Sequence, residues 1–164
     1  MTDASYAEAL KHASLSVNVH LAKLGIGLEP DEVEVFEREP VDPGKHLPKV
    51  AYFVTHMASH DTWNFLYYGQ SALNFLPIVV QPTEILDGAM IWRYWEPNYF
   101  LQNEVYIKEL MKRHGKDLEF MGIVFSNNVM KIDGKDTMGM IGATLCKETL
   151  GADCVMLNKS GMGH

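Results

Sequence analysis

The pattern of apolar and polar positions divides the chain into a helical start and a longer region of alternating strands and helices. From Tyr6 to Leu24, apolar residues recur every three or four positions, which is the spacing of one face of a helix. We expect this helix to end at Gly25 and Gly27. The next segment, Glu29 to Glu39, alternates valine with glutamate before a proline-rich stretch that reaches Pro48. It predicts an edge strand or an extended arm, followed by a linker.

From Lys49 onward, short apolar runs rich in aromatic and β-branched residues are separated by segments long enough for helices. The predicted strands are Val50 to Thr55, Leu76 to Val80, Phe120 to Ser126 and Cys154 to Leu157, and the predicted helices are Gln102 to His114 and Thr137 to Leu150. This alternation predicts an α/β fold with a mainly parallel, doubly wound sheet. We expect one domain overall, with residues 1–48 as N-terminal helix, acidic arm and linker, and residues 49–164 as the α/β core.

A glycine-rich segment, Asn158 to His164, follows the last predicted strand. In doubly wound folds, the loop after a strand leads into the next helix and lines a ligand crevice. We therefore expect the sheet to be incomplete without a partner chain, and a second polypeptide to continue the fold from His164. Gly161 and Gly163 form half of a dinucleotide-binding fingerprint, which makes them candidate cofactor-binding residues.

Composition and charge narrow the classes of function. The 164 residues are 47% apolar and 21% charged, as in ordinary globular domains. A net charge of -7 without a basic patch argues against nucleic acid as a partner. No apolar stretch approaches the roughly 18 residues of a membrane-spanning helix, and the N-terminus lacks the pattern of a signal peptide. We expect a cytoplasmic protein whose ligand is a small molecule and which contacts no membrane.

Two histidines follow the first core strand, at the sheet edge where α/β proteins bind ligands. In a helical segment, His56 and His60 would lie one turn apart, which suits two imidazoles on one metal ion. The expected ion is a divalent transition metal, Zn, Fe, Cu or Ni, with Asp61, Glu84 or His164 completing the ligand set. Two alternatives stay open: both histidines are structural groups, or His60 and Asp61 form a proton-transfer pair.

Two carboxylates follow the second core strand. Glu84 and Asp87 lie three residues apart, and we expect them at the same sheet edge as the histidines. With His60 and Asp61 they form the candidate catalytic set. The alternative is that Thr83 caps a short helix and the carboxylates are simply solvated near its N-terminus.

Several short strings together resemble the substrate-binding proprotein subunit of glycine, sarcosine and betaine reductase component B, and its relative in D-proline reductase. They span most of the chain in the family's order: Glu29 to Val33, Leu47 to Tyr52, His60 to Thr62, Pro82 to Glu84, Asp87 to Ala89 and Lys112 to Asp117. The resemblance implies an α/β subunit of a complex in which a pyruvoyl carbonyl, formed by self-cleavage before a cysteine, captures an amine. A selenocysteine or thiol on another subunit then cleaves the activated C–N bond.

The chain departs from this pattern where the cofactor would form. The family would offer a cysteine after Asp87 to Ala89, but residues Met90 to Asn103 contain no Cys, Ser or Thr. We therefore expect no pyruvoyl group within this chain. The first functional hypothesis is a diverged, reductase-like catalytic subunit acting on a small amine-, sulfur- or carboxylate-bearing molecule. The second is a non-catalytic interaction subunit that completes a partner's sheet.

Overall fold

The computed structural model describes residues 3–57, 65–72, 75–92, 102–129 and 131–159. The chain divides into two compact units, Met1–Val35 and Phe36–His164. In the first unit, helix α1 spans Asp3–Leu24 and ends at the predicted residue. Its apolar stripe, including Leu10 and Val17, is more than half exposed. None of the described helices is both long enough and apolar enough to cross a membrane.

The second unit contains the predicted α/β core. Its described elements, in chain order, are β1 (Lys49–Met57), β2 (Phe65–Tyr67), β3 (Gln70–Ser71), β4 (Ile78–Val80), α2 (Pro82–Leu86), β5 (Met90–Trp92), α3 (Val105–Arg113), β6 (Glu119–Asn128), α4 (Ile132–Thr144) and β7 (Cys154–Lys159). A π-helical turn, Leu145–Thr149, extends α4. Residues 29–48 form no strand, so the edge strand that was one of the two predictions for the acidic segment is wrong.

The main sheet has four strands in the order β4–β6–β1–β7. β1 pairs in parallel with both β6 and β7, which confirms the predicted α/β class with a mostly parallel sheet. β4 pairs with β6 in the antiparallel sense. This reversal sends the chain that follows β4 to the opposite end of the sheet from the chain that follows β1.

A second, antiparallel sheet in the order β3–β2–β5 was not predicted from the sequence. Its strands are two or three residues long, too short to show a periodic pattern. The turn between β2 and β3 places Tyr68 at φ 47° and Gly69 at φ 77°. Hairpin turns with two residues at positive φ usually have Asn or Gly at the first of them. Because tyrosine occupies that position here, the sequence did not indicate a hairpin.

Helical segments cover both faces of the main sheet. On one face, Ile107 and Leu110 of α3 join Tyr52 and Val54 of β1 in the larger core cluster. On the other face, Cys146 of the π-helical turn packs with a group from β1 and β6: Ala51, Phe53 and Val124. β1 therefore lies between two layers, which explains why its sequence is almost continuously apolar.

The arm before β1 belongs with the α/β core from residue 36 onward. Phe36 packs against the larger core cluster, and Arg38 donates hydrogen bonds to the backbone oxygens of Phe120 and Met121 at 3.1 and 3.0 Å. The ring of His114 accepts from the Phe120 N–H at Nδ1, 2.9 Å, and lies 2.9 Å from the Glu39 carbonyl oxygen at Nε2. The predicted division at residue 48 thus falls inside the second unit.

A buried tyrosine joins three elements of the core. The hydroxyl of Tyr52 donates to Oε1 of Glu104 at 3.0 Å and accepts from Nδ2 of Asn158 at 2.7 Å. Glu104 also caps α3 by accepting from the Ile107 N–H at 2.7 Å. Burial raises the pKa of Tyr52, so the hydroxyl stays a donor. This chain of bonds fixes α3 and β7 relative to the middle of β1.

Gly142 allows α4 to approach the sheet closely, and its replacement by alanine is expected to destabilise the protein. A Cβ at this position would lie 2.0 Å from Cε2 of Phe53. Overpacking of this kind typically costs about 1–3 kcal/mol. Gly139→Ala is the matched control, because nothing lies within 4 Å of a Cβ there, and alanine is a better helix former than glycine by about 1 kcal/mol.

Urea denaturation followed by circular dichroism measures both variants. We expect a lower free energy of unfolding for Gly142→Ala and an unchanged or higher one for Gly139→Ala. Equal stability of the two variants would contradict the close packing of α4 on Phe53.

Candidate functional site

A pocket of about 240 Å³ opens where β1, β6 and β7 end, beside α4. We call it the strand-end pocket. Its described lining combines apolar and polar side chains from all four elements and the β6–α4 loop: Phe53, Thr55, Ser126, Asn127, Asn128, Val129, Lys135, Met138, Gly139, Leu157 and Lys159.

The sheet topology creates this pocket. The chain from β1 to β6 includes α3, on one face of the sheet, whereas the chain from β6 to β7 includes α4, on the other face. Where adjacent parallel strands send their connections to opposite faces, a crevice is left at their carboxyl ends. β1 and β6 are such a pair, and the strand-end pocket lies at their switch point.

Polar groups at the end of β6 form the inner part of this pocket. Ser126, Asn127 and Asn128 are 0%, 2% and 8% exposed. Nδ2 of Asn127 donates to the backbone oxygens of Ala72 and Phe75 at 2.9 and 3.1 Å, which holds that loop against the sheet. Nδ2 of Asn128 is buried and has no hydrogen-bond partner among the residues that the structure describes. A buried donor without an acceptor is costly, so the Asn128 amide points to a ligand.

His56 is the next-to-last residue of β1, at the predicted edge, but it is not among the residues that line the strand-end pocket. Thr55 lines that pocket, and successive residues of a strand face opposite ways. His56 is 9% exposed, with its ring centroid 5.8 Å from that of Phe125. Burial lowers its pKa to about 4, so the imidazole is neutral at physiological pH.

Glu84 and Asp87 lie in a different pocket, of about 380 Å³, which we call the hairpin pocket. It also includes Tyr68 and Gly69 of the β2–β3 turn. Oε1 of Glu84 accepts hydrogen bonds from the hydroxyls of Tyr67 and Tyr68 at 2.8 and 2.9 Å, and Oε2 accepts from the Gln81 N–H at 2.6 Å.

These bonds make Glu84 a capping residue as well as a pocket residue. With Gln81 it forms a capping box at the start of α2. Partial burial alone would raise the pKa of Glu84, but the hydrogen bonds from Gln81, Tyr67 and Tyr68 outweigh it, and the pKa lies below its ordinary value. The carboxylate is thus an acceptor for the hairpin and the helix, and Asp87 is the C-cap of α2.

The expectation that Glu84 and Asp87 share a sheet edge with His56 is wrong. Val80, the last residue of β4, pairs with Ile123, whereas His56 pairs with Asn127. Because β4 is antiparallel to β6, the chain leaving β4 moves away from the strand-end pocket. The sequence pattern showed two strands but not their relative direction, and the direction decides which loops meet.

Other predicted site residues lie outside the described part of the chain. These are His60, Asp61, Gly161, Gly163 and His164. Among the described residues, no group of three or more His, Cys, Asp or Glu could hold a metal ion. The predicted metal ligands and the proposed His60–Asp61 pair therefore stay predictions.

Sequence inspection missed the polar residues of the strand-end pocket. One signal was present: the apolar run Phe120 to Phe125 changes abruptly to Ser126, Asn127 and Asn128. Polar residues directly after a buried strand are candidates for a carboxyl-edge site. Lys135 carried no such signal, because only the packing of α4 brings it beside the ends of β1 and β7.

Comparisons with known proteins place the chain in a family. The family model for glycine/sarcosine/betaine reductase component B subunits matches residues 1–164. The alpha subunit of sarcosine reductase complex component B from Peptoclostridium acidaminophilum is 35% identical over 98% of this chain and 40% of its own length. The chain belongs to the component B family. A glycine reductase relative from Acetoanaerobium sticklandii, named as component B subunits alpha and beta, is 31% identical over 95% of this chain and 38% of its own length.

The chain thus spans about two fifths of the length of these component B relatives. A betaine reductase component B subunit alpha from Peptoclostridium acidaminophilum is 28% identical over 96% of this chain. No solved structure matches the chain.

Two of the strings that suggested the component B family have structural roles in the described residues. In the string Lys112 to Asp117, Arg113 and Asp117 form a surface ion pair at 2.6 Å, Gly115 has φ 75°, and His114 joins the arm to β6. In Pro82 to Glu84, the proline begins α2 and the glutamate completes the capping box. These residues shape the turns that position the strands.

The depressed pKa of His56 predicts a pH-dependent stability. Between about 6.5 and about 4 the unfolded chain takes up a proton at this residue and the folded chain does not. The free energy of unfolding should therefore fall as the pH drops through this range, by on the order of 1.4 kcal/mol per unit of pKa difference. Urea denaturation at a series of pH values, with a chelator present, measures the slope.

His56→Gln and His56→Leu should both flatten this slope. His20→Gln, at an exposed position on α1, is the matched control and should retain it. If the slope is the same in all variants, His56 is not the buried neutral imidazole that the structure shows.

Proposed function

We propose that this chain is a component B-type subunit that works within a reductase complex on a small amine-, sulfur- or carboxylate-bearing molecule bound in the strand-end pocket. The observation that carries the proposal is the match of the component B family to the whole chain. The relatives are named for the reduction of sarcosine, glycine and betaine. The switch point between β1 and β6 supports the location, because doubly wound folds bind ligands there.

A partner polypeptide is part of this proposal. The relatives are named as components of reductase complexes, and β7 forms an outer strand of the main sheet in the described residues. Val155 and Leu157 of β7 are 47% and 69% exposed. We propose that the polypeptide corresponding to the rest of the family's sequence adds to the sheet beside β7.

The chemistry is proposed to use no pyruvoyl group made within this chain, because Met90 to Asn103 lacks the required Cys, Ser or Thr. We propose that a divalent metal ion, bound by His56, His60 and His164, assists the reaction. The neutral state of His56 supports this, since imidazole binds metals in its unprotonated form. The His56 ring lies beside Phe125, and in the described residues no group of three or more His, Cys, Asp or Glu could hold the ion, so the other ligands of the proposal lie outside them.

The second candidate function is an interaction subunit without catalysis. The exposed apolar side chains of β7 favour it, because an open, apolar edge strand is suited to pairing with another chain.

An activity measurement on the assembled complex separates the two functions. The chain is produced together with the polypeptide that corresponds to the rest of the family's sequence and is combined with the subunit that carries the selenocysteine or thiol. Amine release from glycine, sarcosine and betaine is then measured with a dithiol reductant. Gly139→Leu should lower kcat/KM at least about tenfold, because the added side chain enters open space in the strand-end pocket. Met140→Leu, exposed on the same helix, is the matched control.

Amine release that requires this chain and responds to Gly139→Leu supports the catalytic proposal. A stable complex whose activity is insensitive to Gly139→Leu supports the interaction role. Elemental analysis of the same complex tests the metal: a metal-free complex that is fully active after chelation overturns metal assistance.

Intact mass spectrometry tests the absence of an internal pyruvoyl group. We expect this chain to remain uncleaved between Ala89 and Gln102 in the active complex, with no mass change on borohydride treatment. A fragment that begins within that segment and carries a reducible carbonyl would contradict the prediction. A pyruvoyl group at the start of the partner polypeptide would not.

A further inference from the structure

We infer that the strand-end pocket binds its ligand by a carboxylate group, held between Lys135 of α4 and Lys159 of β7 and facing the amide of Asn128. This inference deepens the proposed function, on which it rests for the role of the pocket as the substrate site. The assignment of these three residues comes from the charge, burial and position of the pocket lining.

The strand-end pocket is lined by basic side chains although the chain is acidic. The chain as a whole carries a net charge of -7, yet the charged side chains among the described lining residues are both lysines. Neither Lys135 nor Lys159 forms an ion pair within the described residues. Two ammonium groups on different elements that border one small pocket both attract an anion bound between them. The hairpin pocket, with Glu84 and Asp87, has the opposite character.

The buried amide of Asn128 is the second argument. It contributes to the pocket lining, it is 92% buried, and within the described part of the chain its Nδ2 has no hydrogen-bond partner. The neighbouring Asn127 uses its own amide to hold the backbone of Ala72 and Phe75, so the two asparagines have different tasks. An anion bound in the pocket offers an acceptor to the unpartnered N–H.

The size and shape of the pocket favour a carboxylate over a phosphate ester. Its volume of about 240 Å³ lies below the roughly 300–1,000 Å³ usual for drug-sized ligands. Phosphate sites in α/β folds typically use a glycine-rich loop and the first N–H groups of a helix. Here α4 contributes Lys135, Met138 and Gly139, which lie beyond its first N–H groups, and Phe53 and Leu157 add apolar walls.

Binding of simple ions to the full chain tests the inference directly. Backbone-amide NMR titrations use acetate, inorganic phosphate and methylammonium as probes, at constant pH and ionic strength. We expect acetate to shift the resonances of Ser126 to Val129, Lys135 and Lys159, phosphate to bind more weakly, and methylammonium to cause no shift at these residues.

Three variants and one control sharpen the measurement. Lys135→Met and Lys159→Met keep the aliphatic stem and should each weaken acetate binding about tenfold. Asn128→Asp places a negative charge in the pocket and should abolish acetate binding. Lys131→Met removes the same charge just before α4, at an exposed residue that does not line the pocket, and should leave the affinity unchanged.

The inference is overturned if acetate shifts map elsewhere, if Lys131→Met weakens binding as much as Lys135→Met, or if phosphate binds more tightly than acetate. The outcomes also separate this inference from the proposed function. If the reductase complex is active and its KM is unchanged by Lys135→Met and Lys159→Met, the proposed carboxylate site is contradicted and the proposed function is not. If acetate binds with the expected pattern but the complex releases no amine, the proposed function is contradicted and the carboxylate site is not.

Discussion

The parallel pairing of β1 with β6 is the constraint on which the rest of this structure depends. β1 is paired on both sides and covered on both faces, so it must supply apolar side chains in both directions. Parallel neighbours also need long connections that cross a face of the sheet. Because the connection with α3 crosses one face and the connection with α4 crosses the other, the carboxyl ends of β1 and β6 are left open between them. The strand-end pocket follows directly from this arrangement.

Two buried polar side chains of this apolar core form hydrogen bonds that link separate elements. Tyr52 is fully buried but joins Glu104 and Asn158, and Asn127 fixes the backbone at Ala72 and Phe75. A buried polar group with its hydrogen bonds made contributes to a single arrangement of the core, whereas one without them is a cost. The amide nitrogen of Asn128, which has no hydrogen-bond partner among the described residues, is such a cost at the strand-end pocket.

The charged side chains that line the two pockets have opposite signs. The carboxylate of Glu84 is occupied by two tyrosine hydroxyls and a backbone N–H, so it organises the hairpin and the start of α2. Lys135 and Lys159 border the other pocket without such partners among the described residues. The acidic group therefore has a structural role, whereas the basic groups are left facing an open pocket.

The sequence by itself determined the elements that have a long, regular pattern. The apolar periodicity predicted α1 to its last residue, the runs from Val50 and Phe120 predicted β1 and β6, and the short strings indicated the component B family. Local patterns suffice there because helix and strand periods are properties of neighbouring residues. The direction of a strand within its sheet is not a property of neighbouring residues, because the apolar pattern of β4 fits a parallel and an antiparallel strand equally well. Only the antiparallel pairing of β4 with β6 shows that Glu84 and Asp87 lie away from His56. The tertiary structure likewise decided that Lys135 and Lys159, which are 24 residues apart in the sequence, border one pocket, because contacts between distant elements depend on how helices and strands pack.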